Sequence, residues 1–148
     1  MRVVELGAAF EAYVVACIAL VALFYYLAFQ TGTVRQGVRA VVNPEDVRVY
    51  AGADVVDIEH ADVQRVKRAH QNLIENAVPF LIVGLLYALT QPNAVVAGVL
   101  YGIFVVSRIA HAVVYIGRRQ PVRSAVWMIG VLDVGVMAAL VGWAFVVR

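Results

Sequence analysis

The sequence predicts an all-α integral membrane protein built as a bundle of four transmembrane helices, and three observations carry that prediction. The 148 residues are 63% hydrophobic and only 15% charged, far from the balance of an ordinary soluble domain. The apolar residues fall into four runs, each near the roughly 20 residues a helix needs to cross the hydrocarbon core. No internal repeat or low-complexity tract divides the chain, so residues 1–148 read as one domain.

The first span is expected from about Leu6 to Phe29. It is too long for a signal-peptide core and lacks a small-residue cleavage site, so it is expected to be retained. A long connection from Gln30 to Ala61 follows, too polar for a fifth span, with "NPED" at Asn43–Asp46 and the acidic run Asp54–Asp62. The second span covers about Asp62–Thr90 and the third about Ala94–Gly117, joined by a tight turn at Pro92 and Asn93. The fourth runs from about Val122 to Val147, and Pro121 just before it suits a first helical turn. Gly84, Gly98, Gly102, Gly130, Gly135 and Gly142 are read as sites of close helix approach.

Several functional classes are disfavoured at once. The lone Cys17 excludes an intrachain disulfide framework, and its apolar surroundings suggest a packed thiol. A formal charge of +2, without basic residues clustered among aromatics, argues against nucleic acid. Three scattered histidines have no zinc spacing, so no metal is expected, and His70 reads as a packing residue.

Lys and Arg near span ends are retained on the cytoplasmic side. Arg35, Arg39, Arg48, Arg65, Lys67 and Arg68 flank the first connection and Arg118, Arg119 and Arg123 the third, against Arg2 and Arg148 opposite. Both termini are therefore expected to face away from the cytoplasm.

The polar residues within the spans carry the functional signal, because an unpaired charge in the membrane costs at least about 2.5 kcal/mol. Arg68, Asn72 and Glu75 are spaced to share one face of the second span, and Arg108, His111 and Tyr115 one face of the third. Arg123 and Ser124 occupy the first turn of the fourth. All three sets lie toward the same membrane face and can converge on one cavity. With many cations and Glu75 as the lone carboxylate of the set, the inventory calls for an anionic ligand, and guanidinium forks suit carboxylates. A ligand with two carboxylates and an amine would satisfy it, a description that fits glutathione. Glu11 and Asp133 are further charges in apolar surroundings with no assigned role.

The runs "RVKRAHQNLIENAVPFLIVGLLYAL" and "SRIAHAVVYIGRRQPVRS", with "NPED" ahead of them, resemble the MAPEG family, the membrane-associated proteins of eicosanoid and glutathione metabolism. The resemblance covers about Arg35 to Ser124. It implies a homotrimer of four-helix subunits with a glutathione site between neighbours, opening toward the cytoplasm, and a lipophilic second substrate. Carried over by motif, Asn72 and Glu75 would hold the glutathione backbone, His111 and Tyr115 would line the pocket, and Arg35 and Arg123 would face its charged groups. Ser124 would stand beside the sulfur and Asp46 would be a base, unless it is simply a turn carboxylate. Gln71 replaces an arginine found in tighter-binding members, which removes one carboxylate partner from the cofactor-binding set. Trp127 stands where tyrosine is found in the branch most alike, which reshapes the acceptor side.

The resemblance thus implies a glutathione-dependent enzyme, a transferase, peroxidase or prostaglandin-endoperoxide isomerase. Two other readings remain open at this point: a non-catalytic lipid-binding scaffold of the same fold, and a small transporter whose charges line a path.

Overall fold

The computed structural model describes residues 7–147. Arg2 and Arg148 of the charge count, and Leu6 at the start of the first expected span, lie outside the described residues. Four helices, α1 (Ala8–Val38), α2 (Ala61–Leu89), α3 (Ala94–Ile116) and α4 (Gln120–Val146), run alternately up and down, and all four are long and apolar enough to cross a membrane. α2 and α3 form the central pair. α1 packs on both from one side and α4 from the other, and among the described residues α1 and α4 do not touch. Most large apolar side chains, such as Val15, Ile18, Val95 and Val106, face outward. That surface suits a hydrocarbon solvent rather than water.

The helix boundaries agree with the sequence reading in α2, α3 and α4 and differ in α1, which continues to Val38 instead of ending near Phe29. Hydropathy ends where the apolar run ends, but the backbone continues because its polar residues suit a helix. Gln30 Nε2 donates to the Tyr26 hydroxyl at 2.9 Å, and the Thr31 and Thr33 hydroxyls donate to carbonyls one turn back. Arg35 adds a cation to the last turn, where the helix dipole favours one. The helix stops at Arg39, which adopts the left-handed conformation at φ 48°.

The connection from residue 39 to residue 60 is ordered by two devices that hydropathy does not reveal. Strands β1 (Ala40–Val41) and β2 (Asp54–Val55) pair in parallel, and Val41 of β1 is fully buried. Between them "NPED" forms a 3₁₀ helix, Pro44–Arg48, opened by Asn43 and started by proline. A charged clamp then ties the connection to the bundle. Glu59 Oε1 accepts from Arg35 Nε at 2.8 Å and from Arg35 Nη2, while Glu59 Oε2 accepts from Lys67 Nζ at 2.7 Å. Burial alone would raise the Glu59 carboxyl, but the hydrogen bonds and charges of Lys67 and Arg35 outweigh it and hold it below its usual range.

The turns are capped as their residues dictate. His60 Nδ1 accepts from the Asp62 amide at the start of α2, and Asn93 Oδ1 accepts from Val95 N and Val96 N at the start of α3. Pro121 falls in the first turn of α4. Arg118 donates to Asp62, so the α3–α4 turn is fastened to the N-terminal end of α2.

An aromatic cluster joins α1, α2 and α3. Phe80 and Phe104 stack at 4.1 Å between ring centroids, and Tyr13 and Tyr101 pack edge-on at 5.8 Å. Each buried phenol donates to an α2 carbonyl, Tyr13 to Leu81 at 2.9 Å and Tyr101 to Gly84 at 2.9 Å. A Cβ at Gly84 would lie 3.2 Å from the Tyr13 ring, so this glycine does admit close approach, as does Gly130. Gly98, Gly102, Gly135 and Gly142 have open space beside them in the single chain. Cys17 packs at the edge of this core, and His70 lies against Phe24 at 4.4 Å between centroids.

Gly84→Val should lower the thermal stability of the helical fold by about 1–3 kcal/mol, read by circular dichroism of the detergent-solubilised chain. Because the folded Glu59 carboxyl lies below its ordinary 4.5, its contribution is complete above that value and lost as pH falls through the lower folded value. Glu59→Gln should loosen the connection by about 1 kcal/mol at neutral pH. Amide exchange across residues 39–60 should show that difference, and it should vanish on acidification.

Candidate functional site

At the end of the bundle that carries both the long connection and the α3–α4 turn, the last turns of α3 and the first turns of α4 part over α2. Asn72, His111, Tyr115, Arg123, Ser124 and Trp127 line a cavity of about 230 Å³ there. The spacing explains the set: His111 and Tyr115 are one turn apart on α3, and Arg123 and Trp127 one turn apart on α4. Arg123 Cζ sits 4.5 Å above the Tyr115 ring, a cation–π contact that steadies the guanidinium, and the His111 and Tyr115 rings lie 5.5 Å apart.

The cavity is electropositive. Among the described residues no carboxylate lies within ion-pair distance of Arg123. Arg123 and Ser124 also lie close to the N-terminus of α4, whose helix dipole favours negative charge. Asn72 Oδ1 is buried without a hydrogen-bond partner, an acceptor left for an N–H brought by a ligand. An uncompensated guanidinium, a hydroxyl donor and a free amide oxygen suit a small anionic molecule carrying an amine or peptide N–H. A thiolate or carboxylate would lie against Arg123 and Ser124.

The sequence-predicted residues divide into two groups within one chain. Asn72, His111, Tyr115, Arg123 and Ser124 come together at the cavity, with Trp127 beside them. Gln71 and Glu75 lie on the outward face of α2, where Gln71 Nε2 donates to Glu75 Oε1 at 3.1 Å. Arg35 is occupied by Glu59 at the far end of α1. Asp46 lies in the 3₁₀ helix, accepting from Asn43 Nδ2 at 3.3 Å. Pro79 stands four residues after Glu75 and has no N–H, so the Glu75 carbonyl lacks its usual helical donor close to this surface.

Two features were not anticipated. Glu59 lies in the acidic run but was not recognised as the partner of Arg35, because sequence spacing carries no information across a folded connection. Arg108 shares a helical face with His111, yet it reaches away from the cavity to the carbonyls of Val126 and Trp127 on α4. Of the two unassigned acids, Glu11 is exposed in the first turn of α1. Asp133 is buried on α4 with neither carboxylate oxygen hydrogen-bonded.

A larger groove of about 670 Å³ lies between α1 and α3, lined by apolar residues such as Leu23, Ile109 and Ile116 with Tyr26. It carries none of the cavity's polar chemistry.

Comparison with known proteins places the chain in a family. The chain is 36% identical over 136 residues to prostaglandin E synthase of Homo sapiens, covering 91% of this chain and 89% of that protein. It is 31% identical over 142 residues to prostaglandin E synthase of Mus musculus, covering 95% and 92%. It is also 36% identical over 115 residues to microsomal glutathione S-transferase 1 of Rattus norvegicus, covering 75% and 74%. Residues 13–145 match the MAPEG family as a whole. With four apolar helices long enough to span a bilayer and this match across most of its length, the chain is a multi-pass integral membrane protein that belongs to the MAPEG family.

Proposed function

We propose that this protein is a glutathione-dependent membrane enzyme that directs the glutathione thiolate against a lipophilic electrophile or peroxide. The observation that carries the reading is the uncompensated Arg123 guanidinium, held over Tyr115 and next to the Ser124 hydroxyl in a polar cavity between apolar helices. The names of the relatives support it, since one is a microsomal glutathione S-transferase and others are prostaglandin E synthases. A thiol is a weak nucleophile with a free pKa near 8.5, so the site must favour its anion. Each unit of lowering needs about 1.4 kcal/mol of preferential stabilisation, within reach of one charge-assisted contact in a partly dry site.

Glutathione, when bound, supplies a thiolate that adds to an electrophilic carbon or opens a peroxide bond. The chain's residues supply the rest. Arg123 and the Ser124 hydroxyl stabilise the sulfur anion, and Asn72 Oδ1 accepts an N–H of the tripeptide. Tyr115 fixes Arg123 from beneath. For an endoperoxide, sulfur would bond one oxygen as the O–O bond breaks and the other oxygen takes a proton to become a hydroxyl. Asp46 would then remove the proton from the carbon bearing the sulfur-bound oxygen, the C–H electron pair forming the ketone and expelling the thiolate.

The working unit in this proposal is a homotrimer with the site between subunits. A cavity of about 230 Å³ falls short of the roughly 300–1,000 Å³ of small-molecule sites, which supports a second chain completing it. Gln71 and Glu75 point outward from an apolar helix. Leaving them in lipid would be costly, so a protein neighbour accounts for them better. The neighbour would bring Arg35 and Asp46 toward the cavity. The distribution of Lys and Arg supports a cavity that faces the cytoplasm, with both termini opposite.

Isothermal calorimetry should record association of reduced glutathione with the solubilised protein at millimolar concentration or below, and no heat there would sink the reading. In assays with an aromatic halide, a lipid hydroperoxide and a prostaglandin endoperoxide, Arg123→Ala should lower kcat by about 100-fold on every acceptor the parent turns over. Ketone formation from the endoperoxide would mark an isomerase, conjugation alone a transferase, and alcohol formation from the hydroperoxide a peroxidase. Bound glutathione with no turnover on any of the three would identify a scaffold instead of an enzyme.

A further inference from the structure

Arg108 is 2% exposed, and no carboxylate within ion-pair distance balances it among the described residues. A cation enclosed in a membrane bundle is costly and marks a purpose. Its guanidinium lies across α4. Nη2 donates to the Trp127 carbonyl at 3.1 Å and the Val126 carbonyl at 3.4 Å, and Nε donates to Ser107 Oγ at 3.2 Å. Ser107 Oγ in turn donates to the Phe104 carbonyl at 2.7 Å, and Arg108 Cζ stands 5.3 Å from the Phe104 ring centroid. Carbonyls within a helix already accept one amide, so Arg108 uses their second lone pairs.

Gly130 makes this contact possible. A Cβ there would fall 2.1 Å from Arg108 Nη2 and 2.6 Å from Ser107 Oγ, so any side chain at this position forces the guanidinium to shift from the place where it bonds α4. The contact is also next to the cavity in both helices. Trp127, whose carbonyl is bonded, lines the cavity, Val126 is two residues from Ser124, and Arg108 is one turn before His111. Donation to two successive carbonyls constrains the rotation of α4 as well as its distance from α3. A lysine, with a compact ammonium in place of a planar fork, would not reproduce it.

We propose that Arg108 is a positioning residue: through the Val126 and Trp127 carbonyls it sets the rotation and height of α4 on α3, and so holds Arg123 and Ser124 opposite His111 and Tyr115. The inference deepens the proposed function, but the helix geometry it specifies can be measured without ligand.

The test uses the full chain with Cys17→Ser and spin labels on cysteines replacing the exposed Val113 and Ala125, diluted with unlabelled protein. A narrow distance distribution in the parent should broaden in Arg108→Lys and in Gly130→Ala, and to a lesser degree in Ser107→Ala, which leaves the fold least disturbed. In the same variants the ultraviolet thiolate absorbance of bound glutathione should appear only at higher pH. Their kcat should fall by about tenfold or more while KM for glutathione changes by less than about threefold. Gly84→Val, which disturbs the aromatic cluster, should lower stability without moving the distance distribution or the thiolate titration. Unchanged distances in all three variants would overturn the proposal, as would a loosened α4 that leaves thiolate formation intact. If the parent binds no glutathione, the proposed function fails, and the distances alone then decide whether Arg108 holds α4.

Discussion

Hydrocarbon offers no hydrogen bonds, so each polar group on these helices must find its partner inside the protein. The fold is arranged around that constraint. Two tyrosines that would otherwise bury bare hydroxyls donate to carbonyls of α2, and the threonines beyond the apolar part of α1 donate to their own helix. Arg108 meets the same requirement in part and without a counterion: Nη2 bonds backbone oxygens of α4 and Nε the Ser107 hydroxyl, while Nη1 is buried without a partner. The groups left unsatisfied are few and placed unequally. Asn72, whose Oδ1 is one of them, lines the cavity, whereas Arg108 Nη1 and the Asp133 carboxylate are enclosed within the bundle.

How much of this is visible in sequence depends on which interactions are local. Span lengths in α2, α3 and α4 follow from hydropathy, and the break at Pro92–Asn93 and the place of Pro121 in the first turn of α4 follow from residue type. The end of α1 does not, since hydropathy reports the solvent around a helix and not the persistence of its hydrogen bonds. The parallel pairing of Ala40–Val41 with Asp54–Val55 is equally hidden. Two-residue strands carry no periodicity, and their register is decided by contacts more than ten residues apart. The six glycines read as sites of close approach are a mixed case: Gly84 and Gly130 are packed against while Gly98, Gly102, Gly135 and Gly142 are open, a distinction that depends on which face meets a neighbour.

The same division governs the site. Helical spacing brought His111 with Tyr115, and Asn72, Arg123 and Ser124 join them in the cavity. Spacing could not separate Arg108 from His111, because residues on one face can reach in different directions when one side chain is as long as arginine. Nor could it show that Glu59 occupies Arg35, a contact between residues 24 apart. The carboxylate count that suggested a surplus of cations holds at Arg123 and not at Arg35.

The absence of contact between α1 and α4 among the described residues affects how the molecule responds to its surroundings. α4 is 27 residues long, about 40 Å as a helix, and among the described residues it packs on the central pair. A bilayer that thins or thickens will tilt it with no opposition from α1. Because Arg123 and Ser124 lie close to its N-terminal end, a change in its tilt would be felt at the cavity before it reached the aromatic cluster that joins α1, α2 and α3.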